Sequence, residues 1–169
     1  MLWPIYGLTK KYTEKKLNIA KLNLKKINIK NIFKRSIHIF CIDVGNDNAL
    51  NFEIFALLSP KYNLHRFGIF FTQTPREADL LIVLGRPTEK MVPLLLEAVN
   101  QIPEPFGVLL TENNDLGISF DNFDIPNVIG HIKGDVSRDE ILSYILAFMK
   151  GDEKKWYFIH WVLFVFWLA

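Results

Sequence analysis

The stretch Ala78-Asp-Leu-Leu-Ile-Val-Leu-Gly85 decides the fold class of this chain. Its apolar run is closed by a glycine, and a run of this length and composition is typical of a strand buried on both faces. Glu89 to Gln101 follows as a predicted helix, which Pro103 ends. A buried strand that leads into a helix is the repeating unit of a parallel α/β sheet.

The sequence on either side repeats this unit. Ser36-Ile-His-Ile-Phe-Cys-Ile-Asp-Val44, stopped by Gly45, predicts a central strand, and Ala49 to Leu58 predicts the helix that follows it, ended by Ser59-Pro60. Further strands are predicted at Gly107–Thr111 and Asn127–Gly130. The sequence therefore predicts an α/β domain over residues 36–150, with a parallel sheet and helices on both faces.

The last predicted helix of this domain runs from Ser137 to Lys150. Ser137 is its N-cap and Glu140 occupies the third helical position, which together make a capping box. Functional residues of parallel α/β sheets gather at the carboxyl ends of the strands. We expect them here near Gly45, Gly85 and Glu112.

Residues 1–35 form a basic arm before this domain. The arm holds ten of the twenty Lys and Arg residues and a single acid, Glu14, so its net charge is +9 against −7 for the rest of the chain. Its five-residue repeat over 16–30 alternates locally and does not give a one-sided helix, which indicates an extended or irregular arm. Such an arm suits an acidic protein surface, anionic lipid or nucleic acid, and a merely solvated tail is an equal alternative.

Residues 151–169 form an apolar tail after the domain. Its final fourteen residues, Trp156 to Ala169, contain no Asp, Glu, Lys or Arg, and Lys154 and Lys155 precede them. A membrane-spanning helix needs about 20 residues. We therefore expect a segment that lies at the membrane interface, inserts part of the way, packs into a partner subunit or spans a thinned membrane, with a buried core segment as the alternative.

Several kinds of site are excluded or disfavoured by the sequence. The one cysteine, Cys41, permits neither an intrachain disulfide nor a multi-cysteine metal site, and the four histidines lack metal-ligand spacing. Glycine-rich phosphate loops and nucleophile elbows are also absent from the sequence. No catalytic residue and no metal site is predicted, and whether the chain is an enzyme stays open. Lysines interrupt every apolar stretch from Lys10 to Lys34, so we expect no secretory signal.

Ordered motifs across residues 36–148 nevertheless resemble one family. They are Gly45-Asn-Asp-Asn-Ala-Leu-Asn-Phe-Glu-Ile54, Ser59-Pro-Lys-Tyr-Asn-Leu-His-Arg-Phe-Gly68, Thr74-Pro-Arg-Glu-Ala-Asp79 with the strand and Thr88-Glu-Lys-Met91 that follow, Pro103-Glu-Pro105, and Lys133-Gly-Asp-Val-Ser-Arg-Asp-Glu140. In this order and spacing they are similar to the small-subunit family shared by respiratory complex I and membrane-bound energy-converting NiFe hydrogenases. The resemblance implies a flavodoxin-like sheet that holds a cubane iron-sulfur cluster on four thiolates.

The chain departs from that family at every thiolate position. The resemblance places two of these four positions after the first strand, at Asp47 and Leu50 in the hydrogenase-type pattern or at Ala49 and Leu50 in the complex I-type pattern, the third at Asn113 or Asn114, and the fourth at Asp135. Iron-sulfur clusters require soft anionic ligands, which none of these side chains supplies. We therefore expect no cofactor, and we interpret the positions as a degenerate iron-sulfur site. An Asp and Asn set that binds a hard cation is a less favoured alternative.

The resemblance implies a subunit of a redox complex rather than an independent enzyme. We expect a cluster-free structural or assembly subunit on the cytoplasmic side of the membrane, with a large subunit and membrane subunits as partners and no nucleic acid. An independent α/β protein that binds a small ligand or cation is the alternative, and an electron carrier with ligands from another chain is a third. In the family, the segment around Arg66 lies near the cluster and the large subunit. Predicted contact residues are Arg66, Phe67, Arg76, Trp156, Trp161 and Trp167.

Overall fold

The computed structural model describes residue 33, residues 35–114 and residues 116–150. Within them, five parallel strands form one sheet in the order β2-β1-β3-β4-β5. The strands are β1 (Ile37–Gly45), β2 (Ile69–Phe71), β3 (Leu80–Gly85), β4 (Gly107–Glu112) and β5 (Val128–Lys133). The order is that of flavodoxin-like folds, so the predicted fold class is confirmed.

Among the residues that the structure describes, three α-helices cover the two faces of the sheet. They are α1 (Ala49–Leu57), α2 (Val92–Gln101) and α3 (Arg138–Lys150). Apolar side chains of α1 and α3 pack in one core cluster with Ile37 and Ile39 of β1. Those of α2 pack on the other face of the sheet, in a second cluster with Leu81, Val83 and Val108. All of β3 is buried, as its continuous apolar sequence predicts.

Two predicted helix starts can be compared with the structure. Ser137 is the N-cap of α3, since its Oγ accepts a hydrogen bond from the Glu140 amide at 3.3 Å. In contrast, α2 begins at Val92 rather than at Glu89, because residues 88–91 form a turn in which the Met91 amide donates to the Thr88 carbonyl at 2.9 Å. Pro93 then lies in the first turn of α2, where its missing amide proton costs nothing.

The sequence did not predict β2. This strand has only three residues and pairs with the start of β1, where Ile37 lies opposite Ile69. The connection from β2 to β3 contains a single 3-10 turn, Pro75–Glu77, where a helix would be usual. No helix among the described residues is long and apolar enough to cross a membrane. The arm up to residue 32 and the tail from 151 lie outside the described residues, so the predicted domain limits stay predictions.

Candidate functional site

The strands β1 and β3 come into direct contact at their carboxyl ends. Gly45 and Gly85 lie opposite each other with φ angles of 147° and 82°. A Cβ atom on Gly85 would lie 2.7 Å from the amide nitrogen of Asn46 and from the Gly45 carbonyl, so this close approach requires glycine. The neighbours of β1 are β2 on one side and β3 on the other, which makes this the topological switch point where ligands bind in related sheets.

Two of the positions that the resemblance aligns with thiolates, called the former thiolate positions or former cluster positions below, meet at this edge. The Asn113 side-chain amide donates a hydrogen bond to Oδ1 of Asp47, although the two residues come from the loops after different strands. The same Asp47 oxygen accepts the Ala49 amide at 3.2 Å, which fixes the loop at the start of α1. Asp47 and Asn113 therefore use their polar atoms to join the two loops.

The other former positions do not converge on this pair of side chains. Leu50 is only 1% exposed and belongs to the core cluster beneath α1. The side-chain Oδ1 of Asn114 accepts a hydrogen bond from the Leu116 amide at 3.2 Å, so it stabilises its own loop. Asp135 is exposed beyond the end of β5, and Ala49 is the exposed first residue of α1. The described residues contain no group of three or more His, Cys, Asp or Glu side chains that could hold a metal ion.

The residues of this edge do not fit a four-thiolate cluster. The chain's cysteine, Cys41, lies in the middle of β1 opposite Ile82 rather than in the loop that follows the strand. Although Cys41 as a residue is only half-buried, desolvation raises the pKa of its thiol to about 12, so the sulfur stays protonated at neutral pH. A lone protonated thiol cannot replace four thiolate ligands.

A buried ion cluster lies beside the former cluster positions. The carboxylate of Glu112, the last residue of β4, is 2% exposed, and three basic side chains surround it. Its oxygens lie 3.0 Å from His131 Nε2, 3.2 Å from Arg86 Nε and 3.8 Å from Lys133 Nζ. Arg86 directly follows β3, and His131 and Lys133 belong to β5, so Glu112 connects three neighbouring strands.

Strand register explains how the ion cluster forms. Leu110 lies opposite His131 and Glu112 lies opposite Lys133, so both basic residues fall on the same face as the carboxylate. The Phe120 ring meets the imidazole of His131 edge-on, with centroids 5.6 Å apart, and holds it in place. The sequence indicated Glu112 as a strand end but not its partners. A charged residue at or directly after the end of a buried strand was the signal that could have identified Arg86 and Lys133.

The predicted contact residues of the body are all at the surface. Arg66 and Phe67 end a 3-10 helix, Leu64–Phe67, and Phe67 is 56% exposed. Arg76 is exposed in the turn before β3. The segment that ends in Phe67 leads into β2, whose first residue lies opposite the first residue of β1, so it lies at the amino-terminal edge of the sheet. The expected proximity of this segment to the former cluster positions is therefore not found. The three tail tryptophans lie outside the described residues.

Comparisons with known proteins agree with the resemblance in the sequence. No family model matches the chain. The chain is 36% identical over 111 residues to a NADH-quinone oxidoreductase subunit of Mycolicibacterium paratuberculosis, covering 60% of this chain and 59% of that protein. It is 40% identical over 72 residues to formate hydrogenlyase subunit 7 of Escherichia coli, covering 43% of this chain and 28% of that protein. An uncharacterised protein of Methanocaldococcus jannaschii is also 40% identical over 72 residues, covering 43% of this chain and 49% of its own length.

A solved structure supports the same fold. A chain of the membrane-bound sulfane sulfur reductase, an archaeal respiratory membrane complex, superimposes with a TM-score of 0.54 at 22% identity, covering 72% of this chain and 74% of that chain. At that identity the likeness concerns the fold alone. The chain spans 59% of the length of the Mycolicibacterium relative and about half, or less, of the lengths of the other two curated relatives. The predicted resemblance to the small-subunit family is confirmed.

Proposed function

We propose that this chain, a homologue of the small subunits of complex I and membrane-bound NiFe hydrogenases, is a cluster-free structural subunit of a membrane-bound redox complex of that kind. One observation supports it above others: the former thiolate positions now serve the fold itself. Leu50 fills the core, and Asp47 and Asn113 bind each other. The chain keeps the architecture of an electron-carrying subunit and leaves electron transfer to other subunits.

An exposed apolar stripe on α1 supports a role as a subunit. Phe52 and Phe55 are 69% and 64% exposed, and their spacing places them on one side of the helix. The helix starts two residues after Asp47, so the stripe begins beside the former cluster positions. Exposed aromatic side chains in a row are typical of protein contact surfaces. We assign this surface to a large hydrogenase-like or complex I-like subunit, with the complex on the cytoplasmic side of the membrane.

Iron content distinguishes a cluster-free subunit from an electron-carrying subunit with a bound cluster. We expect far less than one iron and one acid-labile sulfide per chain after anaerobic purification, because no former position offers a thiolate. The measurement is iron and sulfide analysis with low-temperature EPR, repeated after incubation with ferrous iron and sulfide and after desalting. About four irons per chain would mean that another set of ligands binds a cluster.

Loss of the exposed Arg76 should weaken assembly without weakening the domain. Guanidinium groups pair well with carboxylates of a partner. We expect Arg76→Ala to reduce several-fold the large subunit that co-purifies with the tagged full chain from detergent-solubilised membranes. Lys90→Ala, an exposed change before α2, is the matched control and should leave recovery unchanged.

The stability of the same variants decides how a loss of recovery is interpreted. Exposed substitutions usually change the free energy of unfolding by less than about 0.5 kcal/mol, so both variants should melt like the parent chain. A lowered melting temperature for Arg76→Ala would point to a structural role inside the domain. Purification of the parent as a soluble monomer with no partner would favour the alternative of an independent ligand-binding protein.

A further inference from the structure

We infer that the amino-terminal edge of the sheet, where β1 and β2 begin, docks on an anionic lipid surface through Arg35, Arg66 and Phe67. The inference rests on the proposed function and names the partner of one of its contact surfaces. It divides the predicted contact residues between two partners: Arg66 and Phe67 meet lipid, and Arg76 stays with the protein partner.

Both chain extensions join the domain at this edge. Phe33, four residues before β1, stacks on Phe148 in the last turn of α3, with ring centroids 5.4 Å apart. A Cβ atom on Gly107, the first residue of β4, would lie 2.5 Å from the Phe148 ring, so the end of α3 lies at the start of the strands. The basic arm therefore arrives and the apolar tail departs at the same edge.

The contact residues lie next to that junction. A Cβ atom on Gly68 would lie 2.0 Å from the Arg35 carbonyl, and the Ile37 amide donates to the Gly68 carbonyl at 2.8 Å. Phe67 is thus held beside the end of the arm, where it exposes 56% of its surface. An exposed phenyl ring flanked by two exposed arginines combines the two features that bind a protein to a membrane surface, apolar insertion and cationic attraction.

The part of this edge around β1 and β2 is basic. The residues from 58 to 68 include Lys61 and Arg66 and no acid, and the arm that ends at Arg35 carries +9. The carboxylate of Asp79, near the start of β1, accepts a hydrogen bond from the backbone amide of His38 at 2.8 Å. Exposed acids of the same edge precede the other strands, β3, β4 and β5: Glu77, Glu104 and Asp124. A basic surface beside an apolar tail suits anionic lipid better than an uncharged protein surface.

Single-cysteine labelling tests the orientation directly. The full chain carrying Phe67→Cys, labelled with an environment-sensitive fluorophore, is mixed with phosphatidylcholine vesicles that contain phosphatidylglycerol and spin-labelled lipid. Leu116→Cys is the matched control, because Leu116 is 76% exposed in the loop after β4 at the opposite edge. The native thiol of Cys41, with its pKa raised to about 12, reacts poorly and leaves the new cysteine as the labelled site.

We expect the label at 67 to shift to the blue and to be quenched several-fold more than the label at 116. Arg66→Glu should weaken vesicle binding by at least about fivefold, the value for losing one favourable charge near an anionic surface. Both labelled proteins should retain the far-ultraviolet circular dichroism of the parent chain, since both sites are exposed.

Three other results would each overturn the inference. Equal quenching at both sites would mean that no particular edge faces the lipid. Binding with neither label quenched would assign attachment to the extensions alone. A failure to bind vesicles by a chain that still co-purifies with a large subunit would make a protein the occupant of this edge. Co-purification measures the proposed function separately, so the two can fail independently.

Discussion

Replacing Glu112 by Gln is expected to lower the free energy of unfolding by about 2–4 kcal/mol, the largest effect of any single change that we predict for the domain. The carboxylate is 2% exposed, and its replacement removes the acidic group that lies 3.0 Å from His131, 3.2 Å from Arg86 and 3.8 Å from Lys133. Removal of one partner from a buried ion cluster costs more than the cluster itself contributes, because the remaining charges are not re-solvated.

The three partners are not equally important in this estimate. Arg86 and His131 expose 18% and 23% of their side chains, whereas Lys133 exposes 52% and lies 3.8 Å from the carboxylate. Solvent screens the Lys133 contact, so Lys133→Ala should cost less than about 1 kcal/mol. The main part of the effect comes from Glu112 with His131 and Arg86.

Urea unfolding of the full chain measures these differences. Glu97→Gln, an exposed change on α2, is the matched control and should stay within about 0.5 kcal/mol of the parent. Combining Glu112→Gln with His131→Gln should cost less than the sum of the two single changes, because each removes the same contact. Additive effects, or a Glu112→Gln loss as small as that of the control, would show that the ion cluster does not connect the strand ends energetically.

The fold was largely predictable from the sequence because its buried strands are continuous apolar runs. Leu80–Gly85 and Gly107–Glu112 are buried along their whole length, and each ends at a residue that the sequence indicates. The three residues of β2 are too few to show a period, so this strand becomes evident only through its pairing with β1. The helix α2 starts later than predicted because a turn precedes Pro93. The spacing of apolar residues does not distinguish this turn from a first turn of helix.

The candidate site was predictable only in its location. Parallel topology places the strand ends at one edge, which is why Gly45, Gly85 and Glu112 could be named from the sequence. The partners of Glu112 depend on the register of β4 against β5, and this register shifts between Val108 and Leu109. A shift of one residue reverses which side chains share a face, so pattern reasoning could not bring His131 to the carboxylate.

The resemblance gave the former thiolate positions but not what they do now. Leu50 and Asp47 lie three residues apart, yet one is buried in the core and the other is exposed. The helix α1 begins between them, and its first buried position falls on Leu50. A side chain at that position contributes apolar burial, worth about 1.5–3 kcal/mol for a leucine. A thiolate in place of Leu50 would remove this contribution, which is a physical reason for leucine at this position.

The two chain extensions are expected to determine where the protein is found in the cell. The final fourteen residues contain no Asp, Glu, Lys or Arg, so in water they would expose a large apolar surface. Deleting residues 156–169 should therefore abolish most membrane association at physiological salt. What remains should come from the +9 arm and the basic edge of the sheet, and should disappear as salt shortens the screening length from about 8 Å at 0.15 M to about 3 Å at 1 M.

Deleting residues 1–30 should give the converse pattern of release. The apolar tail is retained in that variant, and apolar burial is not screened by salt, so the protein should stay with the membrane fraction in a high-salt wash. Membrane fractionation of both deletions at low and high salt, with circular dichroism of each purified protein, makes the comparison. A folded domain that is released only by salt after loss of the tail supports two separate attachments. An unfolded domain after the same deletion would instead assign residues 156–169 to the core, and would remove the main argument for a membrane-side tail.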